Sequence, residues 1–343
     1  MSIFRAAAKI GFVVAAMAAL GAPAVQADPV EDFYKGKTVT IIIGAGAGGL
    51  YDGHARLIAR HMRKHMPGNP TFVPQNMPGA SQLLATEYSY NIAPKDGTSL
   101  LVVQAANIVS KLLDPALKFD TNEFTWIGRV TTLNTVGLLW HSAAVKTVKE
   151  ALDKEVILGA NAPNGRAAMV PNVLNRLVGT KFKLVLGYQG ERDEALAMER
   201  GEIHGVGNYS IGNLFTGPAY YTNKLMNVMY IVGLERLPNI PEAPTIVELA
   251  KNDADREVMR LIAGTSNVGV SVMAPPQMPP ERAAALRKAF METMKDPDYI
   301  TELKKIGYEP EPMEGSELQK FVKANFNASP ELVARVKDLT EMK

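Results

Sequence analysis

The fold is decided by the stretch Thr38-Val39-Thr40-Ile41-Ile42-Ile43-Gly44-Ala45-Gly46-Ala47-Gly48-Gly49-Leu50-Tyr51-Asp52. Its first residues are mostly β-branched and apolar on both faces, as in a strand buried in a parallel sheet. Four glycines then fall within six residues, and glycine lets a loop bend sharply and bring backbone N–H groups close to a ligand. The following residues 53–62 have the pattern of an amphipathic helix. A strand, a glycine loop and a helix N-terminus together favour an anion, because they gather backbone donors at the positive end of a helix dipole.

The glycine loop has three interpretations. Gly44, Gly46 and Gly49 match G-x-G-x-x-G, the dinucleotide-binding pattern. That pattern also needs an acidic residue at the end of the second strand, whereas the predicted second strand, Thr71–Asn76, ends in amides. The same loop could instead hold a small carboxylate, or it could be a tight turn that binds nothing.

The N-terminus has the features of a secretory signal. Met1–Ala27 has a positively charged start at Arg5 and Lys9, and an apolar core at 10–20 that is too short to span a bilayer. Val25-Gln26-Ala27 is a small-x-small cleavage site. We therefore expect export to a bacterial periplasm, with a mature chain of 343 − 27 = 316 residues.

Charge and cysteine content exclude several classes of protein. The formal net charge of +2 resides in Arg5 and Lys9, because no acidic residue precedes Ala27, so the mature chain is close to neutral. No run rich in lysine or arginine follows, which argues against nucleic acid or an anionic membrane as the partner. The chain has no cysteine, which excludes disulfides, thiolate nucleophiles and cysteine-ligated zinc. We predict no cofactor and no metal.

Strand-like and helix-like segments alternate along the chain, which predicts an α/β architecture. A second polar loop, Asn161–Arg166, contains a glycine and lies between a predicted strand and a helical segment, as the first loop does. Pro171 lies in that segment and predicts either the helix start or a kink. The other predicted strands are 99–104, 126–130, 135–140, 156–160, 182–187, 203–208, 227–232 and 267–273, and the other predicted helices include 82–91, 147–153, 191–199 and 281–295.

The pattern favours binding over catalysis. His54, His61 and His65 share one helix face, but no carboxylate within that helix after Asp52 could complete a metal site, so we expect a solvated polar face. Gly-x-Ser-x-Gly and a paired general acid and base are not found in the sequence.

Several polar residues have two interpretations each. Asp52 is either the N-cap of the following helix or a partner for a ligand ammonium or hydroxyl group. Arg166 is either a solvated surface residue or a charged partner for the ligand. Asn76 and Asn208 are either turn residues or amides that face a cleft, and Tyr51 and Tyr188 either pack or line a pocket.

Six segments in order resemble the Bug receptors, the extracytoplasmic solute receptors of tripartite tricarboxylate transporters. Gly48, Gly49 and Asp52 match the family's Pro-Gly-Gly-x-x-Asp motif, with Ala47 in place of the proline. The other similar segments are Asn76–Ser81, 93–101, Pro241–Glu248, 272–276 and 306–310.

The resemblance implies a two-lobed periplasmic binding protein of type II-like α/β fold, with mixed, mostly parallel sheets and a cleft that closes on its ligand. Lobe 1 would comprise 28–130 plus 268–343, and lobe 2 would comprise 131–267. The implied function is to capture a small organic carboxylate and deliver it to the membrane permease subunits of such a transporter. We expect a monomer, and keep an exported nucleotide-cofactor-binding oxidoreductase as the alternative.

One departure from the family concerns lobe 2. Relatives have Gly-x-Gly-Thr/Ser-x-x-His where this chain has Pro163-Asn164-Gly165-Arg166, with Met169 near the usual histidine. Arg166 could replace that pattern with a direct charge-assisted hydrogen bond. The predicted ligand-binding residues are Ala45, Gly46, Gly48, Gly49, Tyr51, Asp52, Asn76, Gly79, Ala80, Ser81, Asn107, Asn161, Asn164, Gly165, Arg166, Tyr188 and Asn208.

Overall fold

The computed structural model describes residues 28–161, 166–188, 190–216 and 220–340. The predicted signal segment, 1–27, and the predicted site residues Asn164 and Gly165 lie outside the described residues. Within these ranges no helix has the length and apolar character needed to cross a membrane.

Strands and helices alternate along most of the described chain. The strands are β1 (Thr38–Ile43), β2 (Thr71–Asn76), β3 (Ser99–Gln104), β4 (Thr125–Thr131), β5 (Thr135–Trp140), β6 (Val156–Ala160), β7 (Phe182–Leu186), β8 (Gly205–Ser210), β9 (Met226–Val232), β10 (Val270–Ala274) and β11 (Met313–Glu314). The α-helices are α1 (Pro29–Tyr34), α2 (Leu50–Met62), α3 (Leu83–Asn91), α4 (Ala106–Leu113), α5 (Arg166–Leu177), α6 (Glu191–Glu199), α7 (Ile211–Thr216), α8 (Asp253–Val268), α9 (Pro280–Lys295), α10 (Pro297–Lys305), α11 (Gly315–Asn325) and α12 (Pro330–Thr340). Short 3₁₀ helices lie at Arg63–His65, Ala80–Gln82, Glu150–Leu152 and Ile246–Leu249.

These strands form two mixed sheets, in agreement with the predicted fold class. The first sheet has the order β11-β4-β10-β3-β1-β2, and the second has the order β7-β6-β8-β5-β9. In the first sheet β1 pairs parallel with β2 and β3, while β10 pairs antiparallel with β3 and β4. In the second, β6 pairs parallel with β7 and β8, while β5 pairs antiparallel with β8 and β9. The strands next to the two connections between sheets, β4, β5 and β10, all take part in antiparallel pairs.

The chain passes between the sheets twice, after β4 and before β10. The two connections lie side by side, because the Leu133 N–H donates to the Ser266 carbonyl over 2.9 Å. Gly269 has a φ of +55°, and a Cβ on it would lie 1.9 Å from the Thr131 carbonyl oxygen. Only glycine fits there, because the position requires both a left-handed backbone and direct contact with the neighbouring connection.

Buried Arg129 links chain segments near the two connections between the sheets through its hydrogen bonds. Its side chain is buried, and its guanidinium donates to the carbonyls of Glu311 at 3.0 Å and Asn267 at 2.7 Å. Burial lowers the pKa of Arg129, and the nearby Glu311 carboxylate opposes that shift. Two chain segments far apart in sequence are thereby fixed to the end of β4.

The hydrophobic core joins the two sheets. One buried cluster lies between β1, β3 and β10 and the helices α2, α9 and α10. A second cluster runs from Trp126 of the first sheet through α8, α11 and α12 to Val156 and Tyr230 of the second. The last helix, α12, packs against α4, α5 and α8. The division into lobes at 131 and 268 stays a prediction.

Most predicted strands are confirmed, and three helix predictions need correction. The strands at 38–43, 71–76, 99–104, 135–140 and 156–160 have the predicted bounds. Helix α2 begins at Leu50 rather than after Asp52, and α5 begins at Arg166 with Pro171 inside it. The predicted helix at 147–153 is a single 3₁₀ turn. Helix α8 has no counterpart among the predicted helices.

Candidate functional site

The glycine loop joins β1 to α2 and leaves backbone donors free. Gly49 is the N-cap of α2, with an extended backbone and no side chain to cap the helix. Gly48 has a φ of +84°, which explains glycine at this turn. Gly46 and Gly49 are exposed, and their N–H groups have no acceptor among the described residues. The loop therefore presents unpaired donors beside the positive end of α2.

Asp52 fixes the shape of this loop. Its carboxylate accepts from the Gly48 N–H, the Arg56 Nε and the Asn76 Nδ2, each at 2.9 Å. The bond from Arg56 holds the pKa of Asp52 down at about 2, with further contributions from Gly48 and Asn76 against the opposing effect of burial. The N-cap interpretation of Asp52 is wrong, because the residue lies in the first turn of α2, after the Gly49 cap.

Asn76 completes the same network from the end of β2. Its amide also donates to the Ala45 carbonyl at 2.9 Å, and its oxygen accepts from Arg56 at 3.1 Å. Asn76 thus ties both ends of the glycine loop to the neighbouring strand. It stands at the strand end where a dinucleotide site needs a carboxylate for the ribose.

The segment Gly79–Gln82 packs against the start of the glycine loop. Ala80 and Gln82 both have positive φ values, +45° and +70°, and a Cβ on Gly44 would lie 2.5 Å from the Gln82 Cβ. Gly79 and Ala80 are exposed next to this contact. The predicted residue Ser81 belongs to the same short 3₁₀ helix.

Asn107 is linked to this segment by two hydrogen bonds in series. It is buried and donates to the Thr86 hydroxyl at 2.9 Å, which in turn donates to the Gln82 carbonyl at 3.0 Å. Its amide group therefore lies in the core, beside Ala105 and Ile108 of the second buried cluster, rather than on an exposed surface.

Arg166 is the first residue of α5 and comes from the second sheet's side of the molecule. Its guanidinium donates to the Thr265 hydroxyl at 2.7 Å, and burial lowers its pKa. No carboxylate of the described chain lies within ion-pair distance of it. Burial raises the pKa of Tyr51 to about 12, and the positive charge of Arg166 opposes that rise. Arg166 therefore lies close to the first turn of α2, and the interpretation as a solvated surface residue is wrong.

Tyr308 is a further residue at this junction. Its ring centroid lies 4.8 Å from that of His54 in α2. A Cβ on Gly212, near the start of α7, would lie 3.5 Å from the Tyr308 ring. Tyr308 belongs to the family-like segment 306–310, but the sequence pattern predicts no role for it.

Asn208 and Tyr188 make their described contacts with residues other than Arg166. Asn208 is half-buried and accepts from the Thr135 hydroxyl at 2.6 Å. The Tyr188 ring covers Gly159, where a Cβ would lie 3.2 Å from two ring carbons. Asn161 is exposed after β6.

His54 and His61 of α2, with His65 of the 3₁₀ helix that follows, do not form a solvated face, so that prediction is wrong. His54 is fully buried, its Nδ1 donates to the Leu50 carbonyl at 2.8 Å, and burial lowers its pKa. His61 is buried beside Glu302 at 3.3 Å, and His65 lies 3.1 Å from Asp296. These contacts fasten α2 to α10. Within the described ranges no three histidine, aspartate or glutamate residues come together as a metal site.

Comparisons with known proteins agree with this architecture. The model of the tripartite tricarboxylate transporter family receptor matches residues 54–337. A curated Cupriavidus necator protein, described as the UPF0065 protein in gbd 5'region, is 24% identical over 317 residues, which are 90% of each chain.

Two solved structures show the fold. A TctC solute binding protein from Polaromonas, solved with no ligand, has a TM-score of 0.68 at 18% identity and covers 89% of this chain and 98% of its own. MatC from Rhodopseudomonas palustris, solved with bound malate, has a TM-score of 0.56 at 23% identity, covering 89% of this chain and 99% of its own. The chain thus has the two-lobed α/β fold of a periplasmic binding protein.

Proposed function

Because this chain belongs to the tripartite tricarboxylate transporter family of receptors, we propose that it binds a small organic carboxylate between its lobes in the periplasm. It then delivers this ligand to the membrane permease subunits of a tripartite tricarboxylate-type transporter. The observation that carries the proposal is Arg166, a partly buried guanidinium with a hydroxyl partner and no described carboxylate within ion-pair distance. A ligand carboxylate supplies the missing countercharge.

The glycine loop supports the same ligand class from the opposite side. Gly46 and Gly49 keep free N–H groups at the positive end of α2, and such groups bind a carboxylate without a formal positive charge. Asp52 does not repel an acidic ligand strongly, because its charge is paired with Arg56 and hydrogen-bonded to Gly48 and Asn76. MatC, of similar fold, was solved with malate, a small dicarboxylate.

The proposed binding surface is formed by the two opposed loops and the residues between them. Gly48 and Asp52 shape the first loop, and Asn76 holds it to β2. The residues proposed to face the ligand are Ala45, Gly46, Gly49, Tyr51, Gly79, Ala80, Ser81, Asn164, Gly165 and Arg166. Lobes 28–130 plus 268–343 and 131–267 would close over it, and the protein would act as a binding protein without catalysis.

Calorimetry with a panel of mono-, di- and tricarboxylates tests the proposal. We expect at least one acid, with malate and adipate among the candidates, to bind the wild-type protein. Arg166→Ala should weaken that acid by about 10- to 100-fold, because a charge-assisted hydrogen bond contributes about 1.5–3 kcal/mol. Arg166→Lys should recover part of the loss, since lysine keeps the charge but not the planar pair of donors.

Arg176→Ala is the matched control, because Arg176 lies in the same helix and pairs with Asp338 at its far end. It should leave the affinity unchanged. Equal affinities for wild type and Arg166→Ala, or no binding by any acid in the panel, would contradict the proposal.

The nucleotide interpretation has less support. The strand end that should carry the ribose-binding carboxylate carries Asn76, and its amide is already bonded to Asp52 and Ala45. NAD in the same calorimetric panel should therefore give no heat of binding.

A further inference from the structure

A groove of about 810 Å³ lies along the outer edge of the second sheet, away from Arg166. Four consecutive residues of the edge strand, Met226–Met229, line one of its sides. Successive side chains of a strand point to opposite faces, so four in a row can line one groove only if it runs along the backbone edge of β9. In the strand order, β9 is the last strand on this side.

The hydrogen-bond directions identify which backbone groups face the groove. The Trp140 N–H donates to the His204 carbonyl at 2.8 Å, toward β8, and Trp140 stands opposite Met226 in the β5–β9 register. The backbone groups of Met226 therefore point away from β5. Because this direction alternates from residue to residue along a strand, the backbone groups of Val228 also point away from β5. Farther along, the Ile231 N–H is bonded to the Pro244 carbonyl at 2.8 Å, so the edge is covered from there on.

The walls of the groove are predominantly basic. Lys146, Lys149 and Lys224 line it and are exposed, whereas its acidic lining residue among those described is Glu242. Lys146 donates to the His141 carbonyl, while Lys149 and Lys224 have no acidic partner within the described part of the chain. Phe215, an aromatic side chain with 41% of its surface exposed, also lines the groove.

We propose that the edge of β9 at Met226–Met229 is a docking site for an extended acidic segment of a partner protein, which adds a sixth strand to the second sheet. The outward-directed backbone groups of Met226 and Val228 bind the main chain of the segment, as in other cases of strand addition. Lys149 and Lys224 pair with its carboxylates and select an acidic sequence. The site is separate from the carboxylate site at Arg166 and does not depend on the ligand bound there.

Hydrogen exchange of the full-length mature protein tests this assignment. The probe is an octapeptide of alternating glutamate and valine, with a lysine–valine octapeptide as the matched control. The acidic peptide should slow exchange of the Met226 and Val228 amides by about tenfold at saturation, because both become hydrogen-bonded. The lysine peptide should leave them unchanged.

A matched pair of variants tests the backbone hydrogen bonds to the peptide, and a double variant tests the contribution of the lysine charges. Val228→Pro removes an outward N–H without breaking the bonds to β5, so it should abolish peptide binding, while Val228→Ala should retain it. The double variant Lys149→Glu with Lys224→Glu should weaken the acidic peptide by about tenfold or more. Thermal unfolding of each variant checks that it is folded, and only folded variants are compared.

Other occupants of the groove would give different results. Slowed exchange with malate in place of the peptide would indicate a small-anion site, and a dimer mass with protected Met226 and Val228 would indicate a second copy of this chain. Either result, or an acidic peptide without effect on these amides, would overturn the proposal. Arg166→Ala should bind the peptide normally, so failure of the carboxylate proposal and failure of this one are distinguishable.

Discussion

Asp52 shows at the scale of one residue how a single carboxylate can fix the shape of a loop through three hydrogen bonds. Asp52→Asn should lower the free energy of unfolding at pH 7 by about 1–3 kcal/mol. The asparagine amide has only one accepting oxygen and no charge, so it cannot accept all the hydrogen bonds that the carboxylate accepts. The pKa of Asp52 is about 2 in the folded protein against an ordinary 3.8, so its contribution is present above 3.8 and lost as the pH falls through 2. Urea unfolding at pH 7 and pH 3 measures this. The exposed Glu257→Gln is the control, and equal stability of Asp52→Asn and wild type at pH 7 would contradict it.

Glu194 gives the opposite pH dependence. It is buried in α6, and burial, with Glu191 and Asp193 nearby, raises its pKa to about 7 from an ordinary 4.5. The folded state therefore holds the proton more tightly, so this contribution to stability is full below 4.5 and is lost as the pH rises through 7. Glu194→Gln should stabilise the protein by about 1–3 kcal/mol at pH 8.5 and change little at pH 4.5. Denaturant unfolding at both values measures this, and a variant that gains nothing at pH 8.5 would refute it.

At the scale of the element, helix α5 carries Arg166 and rests directly on β8. A Cβ on Gly207 would lie 2.2 Å from the Pro171 ring and 2.8 Å from the Ala167 carbonyl oxygen. Gly207→Ala should therefore push α5 away, cost about 1–3 kcal/mol of stability and weaken the carboxylate ligand through the displaced Arg166. Calorimetry and urea unfolding measure the two effects. Gly190→Ala, where a Cβ meets no atom within 4 Å, should change neither, and normal affinity in Gly207→Ala would exclude this dependence.

The elements also show what the sequence could reveal. Strands β1 and β3 were predicted with their observed bounds because four of the six residues in each are apolar and buried. Helix α8 was missed although its acidic first turn favours a helix N-terminus. It runs into β10 through Gly269 alone, so the residues from 267 onward have the pattern of one strand.

The sequence predicts only those parts of the candidate site that depend on neighbouring residues in the chain. A glycine loop before a helix and a polar loop ending at Arg166 are visible in the sequence. Tyr308 is not, because its position beside His54 and Gly212 arises from packing between segments far apart in the chain. Asp52 was misassigned for a related reason, since its partner Asn76 lies 24 residues farther along the chain, at the end of β2.

At the scale of the whole molecule, Tyr308 connects the first sheet's side to the second, because its ring lies beside His54 of α2 and Gly212 of α7. Tyr308→Ala removes both ring contacts, so the closed arrangement of the lobes should be less favourable. We expect dissociation of the carboxylate ligand to become about 3- to 10-fold faster, equivalent to about 1 kcal/mol. Stopped-flow measurement tests this, and Tyr220→Ala, which loses a ring contact with Trp140 elsewhere, is the control. Unchanged dissociation in Tyr308→Ala would remove its role in closure.

The last described helix, α12, touches α4 from the first sheet's side and α5 from the second, and its Arg335 and Asp338 pair with Asp255 and Arg176. A fluorescent label attached to α12 would therefore lie next to the helix that carries Arg166. Its emission should respond to ligand capture, which makes α12 a suitable attachment point for a biosensor.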